Sequence, residues 1–324
     1  MRRANERDWS RIVTQLYVAA TTLLLSAALL TGCGPSATTG EITAPESTGL
    51  LNVTVSILPQ KYFVERVGGE HVSVNVMVQP GANPATYEPK PEQLTALSEA
   101  DAYFSIGVPF ENAWLNRIAS ANSEMLMVDT TAGIARMPME AHHHPGEAEE
   151  NKGEVYQAGE PENSDPHVWL SPTLVKTQAQ TIYRALAALD PAHEDAYEAN
   201  LDRFIADIDA LDAGIRETLE AVESKRFMVF HPAWGYFARD YGLEMIPVEI
   251  GGQEPSAAEL AAFVAEAQEE NIKVIFAQPE FSTRAAETIA YEIDGEVLLI
   301  SPLAPDWLDS LRHVADTFAD VLNR

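Results

Sequence analysis

One cysteine among 324 residues leaves no partner for an internal disulfide, so the folded part must be held by its core. Basic residues are few, 21 against 49 acidic, and the formal charge is −28. That balance argues against nucleic acid and against direct docking on anionic lipid. Past the first thirty or so residues no run is long and apolar enough to span a bilayer. The chain also lacks a His-Glu-x-x-His helix, a nucleophile elbow and a phosphate loop, so the signatures of the common hydrolases and nucleotide enzymes are absent. The expectation is a protein that is not an enzyme.

The N-terminus carries Arg2, Arg3, Arg7 and Arg11, then an apolar run from Ile12 to Leu30, and closes on Leu30-Thr31-Gly32-Cys33. A basic start, an apolar middle and small residues before the cut make a secretory signal. The ending resembles a bacterial lipobox, with cleavage before Cys33 and a lipid on that cysteine. A retained signal anchor is the alternative. We therefore expect a signal peptide over 1–32, and a lipidated, flexible tether over 33–49, rich in Ser, Thr, Gly and Pro, with a reach of about 20 Å. The protein is then lipid-anchored and extracytoplasmic, on the periplasmic or outer face of the cell membrane. Loss of residues 1–32 removes four arginines and two acids and takes the charge to −30. Such a surface either gathers cations or is simply a solvated acidic face.

From Leu51 onward, β-rich and helical stretches alternate, as in a mostly parallel sheet flanked by helices. Residues 50–170 read as an N-terminal α/β lobe. It is interrupted at 139–164 by a Glu-, Gly- and Pro-containing loop that includes His142, His143 and His144. Residues 171–224 read as helical, opened by Ser171 as N-cap and Pro172 in the first turn. Their second part, Pro191 to Val222, places Leu201, Phe204, Ile205, Ile208, Leu211, Ile215 and Leu219 at helical spacing. Uninterrupted, that helix spans about 48 Å, more than one small sheet needs. A second alternating series fills 225–324. The fold expected is α/β: two lobes with mostly parallel sheets, joined by one long bridging helix, with a ligand cleft between them.

Two histidines stand in distinctive frames, His167 in Asp165-Pro166-His167-Val168-Trp169 and His231 in His231-Pro232-Ala233-Trp234-Gly235-Tyr236. Ligands in α/β sheets collect at the carboxyl ends of strands. His231, Glu280 and Ser301 each lie just past an expected strand, and His167 lies in a loop entering a helix. Imidazoles with a carboxylate suit a divalent metal, and zinc in particular. Zn²⁺ is therefore the expected ligand, with Mn²⁺ as the other candidate. His167, His231 and Glu280 are the candidate metal ligands, and His142, His143 and His144 are candidates for accessory capture. The plainer reading of each lone histidine is a core group bonded to backbone. His71, His193 and His313 read as surface groups, Trp169 and Trp234 as cleft walls, and Tyr87 as a wall residue with its hydroxyl near the ligands. Two imidazoles and Glu280 would also resemble an open hydrolytic zinc site, which keeps a zinc-dependent hydrolase as a minor alternative.

The segments GANPATYEPKPEQL, DPHVWLSP, HPAWGYFARDYGL, GGQEPSAAEL and ISPLAPDWLDSL, in that order, resemble the zinc and manganese solute-binding lipoproteins of bacterial ABC transporters. The resemblance covers nearly all of the chain beyond the signal. It implies two lobes bridged by a long helix, a monomer, and delivery of metal to an ABC permease in the cytoplasmic membrane. It also implies three histidines and a carboxylate around the metal. Two of those histidines correspond to His167 and His231. The other two positions are Ala85 and Ser301, and a slightly later acid of some relatives is Ala304 here. Glu280, Asp306, Glu88 or water are the candidate replacements. The same fold binding a metal chelate or a small organic ligand is the alternative function.

Overall fold

The computed structural model describes residues 49–139, 164–249 and 253–323. The readings placed on 1–32, on Cys33 and on His142, His143 and His144 lie outside these residues. Eight strands are described, in two four-stranded sheets. The first contains β1 (Leu51–Val55), β2 (Val72–Val76), β3 (Ala102–Ser105) and β4 (Leu126–Asp129) in the order β2-β1-β3-β4. The second contains β5 (Arg226–Val229), β6 (Glu244–Pro247), β7 (Val274–Ala277) and β8 (Glu296–Leu299) in the order β6-β5-β7-β8. Every pairing is parallel. Inner strands of such sheets are covered on both faces and are apolar throughout rather than alternating. Accordingly all four residues of β3 and of β7 are buried, whereas the edge strands β4 and β8 start and end exposed.

The strand order reverses between β1 and β3, and again between β5 and β7. These are the points where the crevices beyond the carboxyl ends of the strands open to a ligand. Phe230 and His231 follow β5, Glu249 lies past β6, Gln278 and Glu280 follow β7, and Ser301 lies past β8. The topology thus delivers five polar side chains, His231, Glu249, Gln278, Glu280 and Ser301, to one end of the second sheet.

Helices α1 (Leu58–Gly68), α2 (Pro91–Leu97) and α3 (Pro109–Ala121) accompany the first sheet, and α6 (Gly235–Tyr241), α7 (Ala257–Glu269), α8 (Arg284–Glu292) and α9 (Trp307–Leu322) the second. Between the sheets in sequence lie α4 (Pro172–Leu189) and α5 (Glu194–Glu220). Ser171 caps α4, its hydroxyl accepting from the Leu174 N–H at 3.3 Å. At 27 residues, α5 is about 40 Å long at 1.5 Å per residue. It buries Tyr197, Phe204, Ile208, Leu211, Ile215 and Leu219, an i, i+3/i+4 stripe, against α1 and α4 on one side and α6 and α9 on the other. It is shorter than the 191–222 expectation because Pro191–His193 forms a separate 3₁₀ turn. Asp190 holds that turn, accepting from His193 Nδ1 at 2.6 Å and from the Tyr197 hydroxyl at 2.9 Å.

Trp307, at the start of α9, joins elements distant in sequence. Its ring meets Phe63 of α1 edge-on at 5.1 Å, and Phe204 of α5 at 6.4 Å. Its Nε1–H donates to the Trp169 carbonyl at 2.7 Å. With the side chain only 2% exposed, Trp307→Ala is expected to lower unfolding stability by about 3–5 kcal/mol, read as a fall in the urea midpoint at unchanged slope.

Candidate metal centre

His167 begins a 3₁₀ turn, Val168–Leu170, and its imidazole is set by its own neighbour. Asp165 Oδ1 accepts from the His167 backbone N–H at 2.8 Å and from ring Nδ1 at 2.7 Å. Asp165 is 1% exposed. Tyr236 of α6 donates its hydroxyl to the Asp165 carbonyl at 3.0 Å. The backbone of Gly235 passes close enough that an added Cβ would lie 3.2 Å from Asp165 Oδ2 and press on that carboxylate. Trp169 Nε1–H donates to the Pro302 carbonyl at 2.7 Å, so the turn is also fastened to the chain beyond β8.

His231 is fixed in the same manner by more distant residues. The Gln278 side chain grips its backbone in both directions, Oε1 accepting from the His231 N–H at 3.1 Å and Nε2 donating to the His231 carbonyl at 2.9 Å. The ring stacks on Phe281 at 4.3 Å, and Nδ1 donates to Glu249 Oε2. Burial, seconded by the neighbouring His167, lowers the His231 pKa, with the Glu249 hydrogen bond opposing that shift. The imidazole therefore stays neutral below its ordinary titration range.

Each Nδ1–H is thus committed to a carboxylate, which leaves Nε2 of both rings as a bare acceptor. These two atoms face each other at 3.4 Å. Two lone pairs at that distance repel unless a cation or a shared proton stands between them. Tetrahedral zinc with Zn–N bonds of 2.0–2.1 Å sets its nitrogen ligands about 3.3–3.4 Å apart, so the spacing is that of two ligands on one ion.

Glu280 lines the same small cavity of about 50 Å³ as Ala85, His167 and His231. Its Oε1 accepts from the Ser301 hydroxyl at 2.5 Å, and Ser301 in turn accepts from the Leu303 N–H at 3.1 Å. Its Oε2 is buried without a hydrogen-bond partner among the described residues. Ser301 therefore orients Glu280. Among the described residues no three His, Cys, Asp or Glu side chains stand together as a ready ligand set. The structure pairs the two imidazoles and leaves Glu280 at the cavity wall beside them. Glu88 and Asp306 are exposed and line neither this cavity nor its neighbour.

Asp165 and Glu249 went unassigned in the sequence. For Asp165 the signal in sequence is the Asp-Pro-His spacing, which permits an Asx turn onto the His167 N–H. Glu249 is eighteen residues from His231 and only the β5–β6 pairing brings them together. Trp169 lines the cavity as expected, but Trp234 does not, packing instead on Phe237 and Phe318. The Tyr87 hydroxyl turns away to Gln93 Oε1 at 2.6 Å. His313 is exposed, while His71 and His193 stack on each other at 3.9 Å.

The chain matches the family model described as zinc-uptake complex component A, periplasmic, over residues 53–321. It is 32% identical over 296 residues to the high-affinity zinc uptake system protein ZnuA of Bacillus subtilis (strain 168), an alignment covering 89% of this chain and 88% of that one. The zinc-binding lipoprotein AdcA of Streptococcus pneumoniae serotype 4 is 26% identical over 262 residues, and the match spans 80% of this chain but only 51% of AdcA. A crystal structure of ZnuA superposes with a TM-score of 0.76 at 45% identity, covering 84% of this chain and 99% of the other. A zinc-bound deletion mutant of ZnuA gives 0.76 at 44% identity, with 85% and 99% covered. With the family matched over most of its length and the two-sheet α/β fold shared, this chain belongs to the periplasmic zinc-uptake component A family of solute-binding proteins.

Proposed function

We propose that this chain is the extracytoplasmic receptor of an ABC importer, capturing Zn²⁺ and passing it to the permease. The observation that carries this is the Nε2–Nε2 distance of 3.4 Å between two imidazoles whose other nitrogens are tied to carboxylates. His167 and His231 are the proposed nitrogen ligands. Glu280 supplies the charge through Oε2, either at once or after a small rotation. Manganese, which prefers carboxylate, carbonyl and water oxygens, is disfavoured by a pair of imidazoles. The closing test is calorimetric titration of Zn²⁺ and Mn²⁺ into metal-stripped protein, with His142, His143 and His144 changed to Ala to silence that segment. One-to-one zinc binding tighter than manganese supports the reading; manganese outcompeting zinc overturns the choice of metal.

Further parts of the proposal rest on sequence. Residues 1–32 act as a signal peptide, Cys33 carries the lipid, and 33–49 tether a monomer whose lobes, 50–170 and 225–324, flank the helical 171–224. The His142–His144 cluster serves as an accessory collector. In its support, Pro138 and Ser164 pair across an isolated bridge, so this segment leaves and returns beside Asp165 and His167.

A carboxylate that accepts from a ligating histidine fixes its tautomer and ring orientation and raises its basicity. Glu249→Gln keeps shape and removes charge, and is expected to weaken zinc binding by at least about tenfold, measured by competition with a chromogenic chelator.

A further inference from the structure

Beside the small cavity lies a larger one of about 230 Å³, walled by Gln79, Gly81, Glu280, Ser301, Leu303 and Ala304 among others. Glu280 and Leu303 belong to both walls. A water occupies about 30 Å³ of liquid, so the space holds roughly seven waters, or one molecule of amino-acid size. An ion on the two Nε2 atoms has two protein nitrogens and at most one adjacent carboxylate, Glu280, whereas zinc takes four ligands. Glu280, shared by both walls, places that larger concave space next to any coordination position left on its side.

The charges narrow its chemistry. Asp165 and Glu249 stand behind the two imidazoles and Glu280 beside them, and no Lys or Arg among the described residues lines either cavity. A further anion is disfavoured, and a neutral nitrogen donor is not. We infer that the site takes its metal together with a small imidazole- or amine-bearing ligand, seated in the larger cavity and completing the coordination shell. This rests on the metal-receptor reading above and names the form in which the cargo is held.

Imidazole itself is the probe. In the full chain with His142, His143 and His144 changed to Ala, zinc affinity is measured at rising imidazole concentration. Simple competition by free imidazole lowers the apparent affinity, whereas a ternary complex raises it, so the sign decides. We expect tightening of about tenfold, the effect of one added ligand of modest strength. The gain should be lost in Pro305→Trp and, independently, in Pro80→Trp, which narrow the larger cavity without lining the small one and should leave affinity without imidazole as in the parent. Zinc affinity that stays level or falls with imidazole overturns the inference and leaves the receptor reading intact. Absence of zinc binding at every imidazole concentration overturns both.

Discussion

His167→Ala is expected to weaken zinc binding at least about a hundredfold, since a structural zinc site in a peptide is worth about 10–16 kcal/mol, hence roughly 3 kcal/mol per ligand. A site with only two imidazoles facing each other has no spare ligand to absorb the loss. The variant should remain folded, because the turn is held by Trp169 and by Trp307 independently of the ring. Equal zinc affinity in parent and variant, by calorimetry, would place the metal elsewhere and leave the facing imidazoles unexplained. The pH dependence gives an orthogonal check. Only neutral imidazole binds metal, and burial has lowered the His231 pKa. Proton competition at His231 is therefore weak while pH falls toward the ordinary imidazole value of about 6.5. The share of the decline that comes from His231 should appear only at more acidic pH. The same depression has a folding consequence. The unfolded chain binds this proton more readily than the folded one, so the metal-free protein loses stability as pH drops below the unfolded value.

The fold was legible because its signals are local. Apolar runs such as Val274–Ala277, the Ser171–Pro172 helix start and the stripe on α5 each report burial or capping by neighbours in sequence. The start of α5 departs from the sequence expectation at Pro191, where an aspartate bonding to His193 and Tyr197 outweighs a continuous helical pattern. The histidine frames were legible for a related reason: each sits at a strand or helix boundary where side chains face a crevice. What lay beyond sequence reasoning is the pairing across the structure. Glu249 reaches His231 only through the β5–β6 register, and Ser301 reaches Glu280 only through β7–β8. The stacking of His71 on His193 likewise depends on where two separate turns are packed. A serine where relatives would suggest an acid reads as a lost ligand, yet its hydroxyl orients the acid that stands nearby.

Ala85→His tests whether the shell is incomplete for want of one donor. Ala85 sits in an exposed turn, its backbone N–H donating to Asn83 Oδ1 at 2.8 Å, and it borders the same cavity as His167 and His231. Because Ala85 is exposed and shares a cavity wall with His167 and His231, a histidine there adds a donor at the cavity rim without replacing a core side chain. A third nitrogen ligand is expected to tighten zinc about a hundredfold by the same per-ligand reasoning. It should also abolish the response to added imidazole, since the position that imidazole would take is then filled from within the chain. The two readouts separate the possible causes. Tighter zinc with the imidazole response retained means that the new histidine and the exogenous donor occupy different positions, so that zinc would have room for both. Unchanged affinity means that Glu280 and water already satisfy the ion, and that alanine at position 85 costs the site nothing. Loss of binding would mean that the turn carrying Ala85 must stay clear of the ion, and that the cavity, rather than the protein's own ligands, governs what is captured.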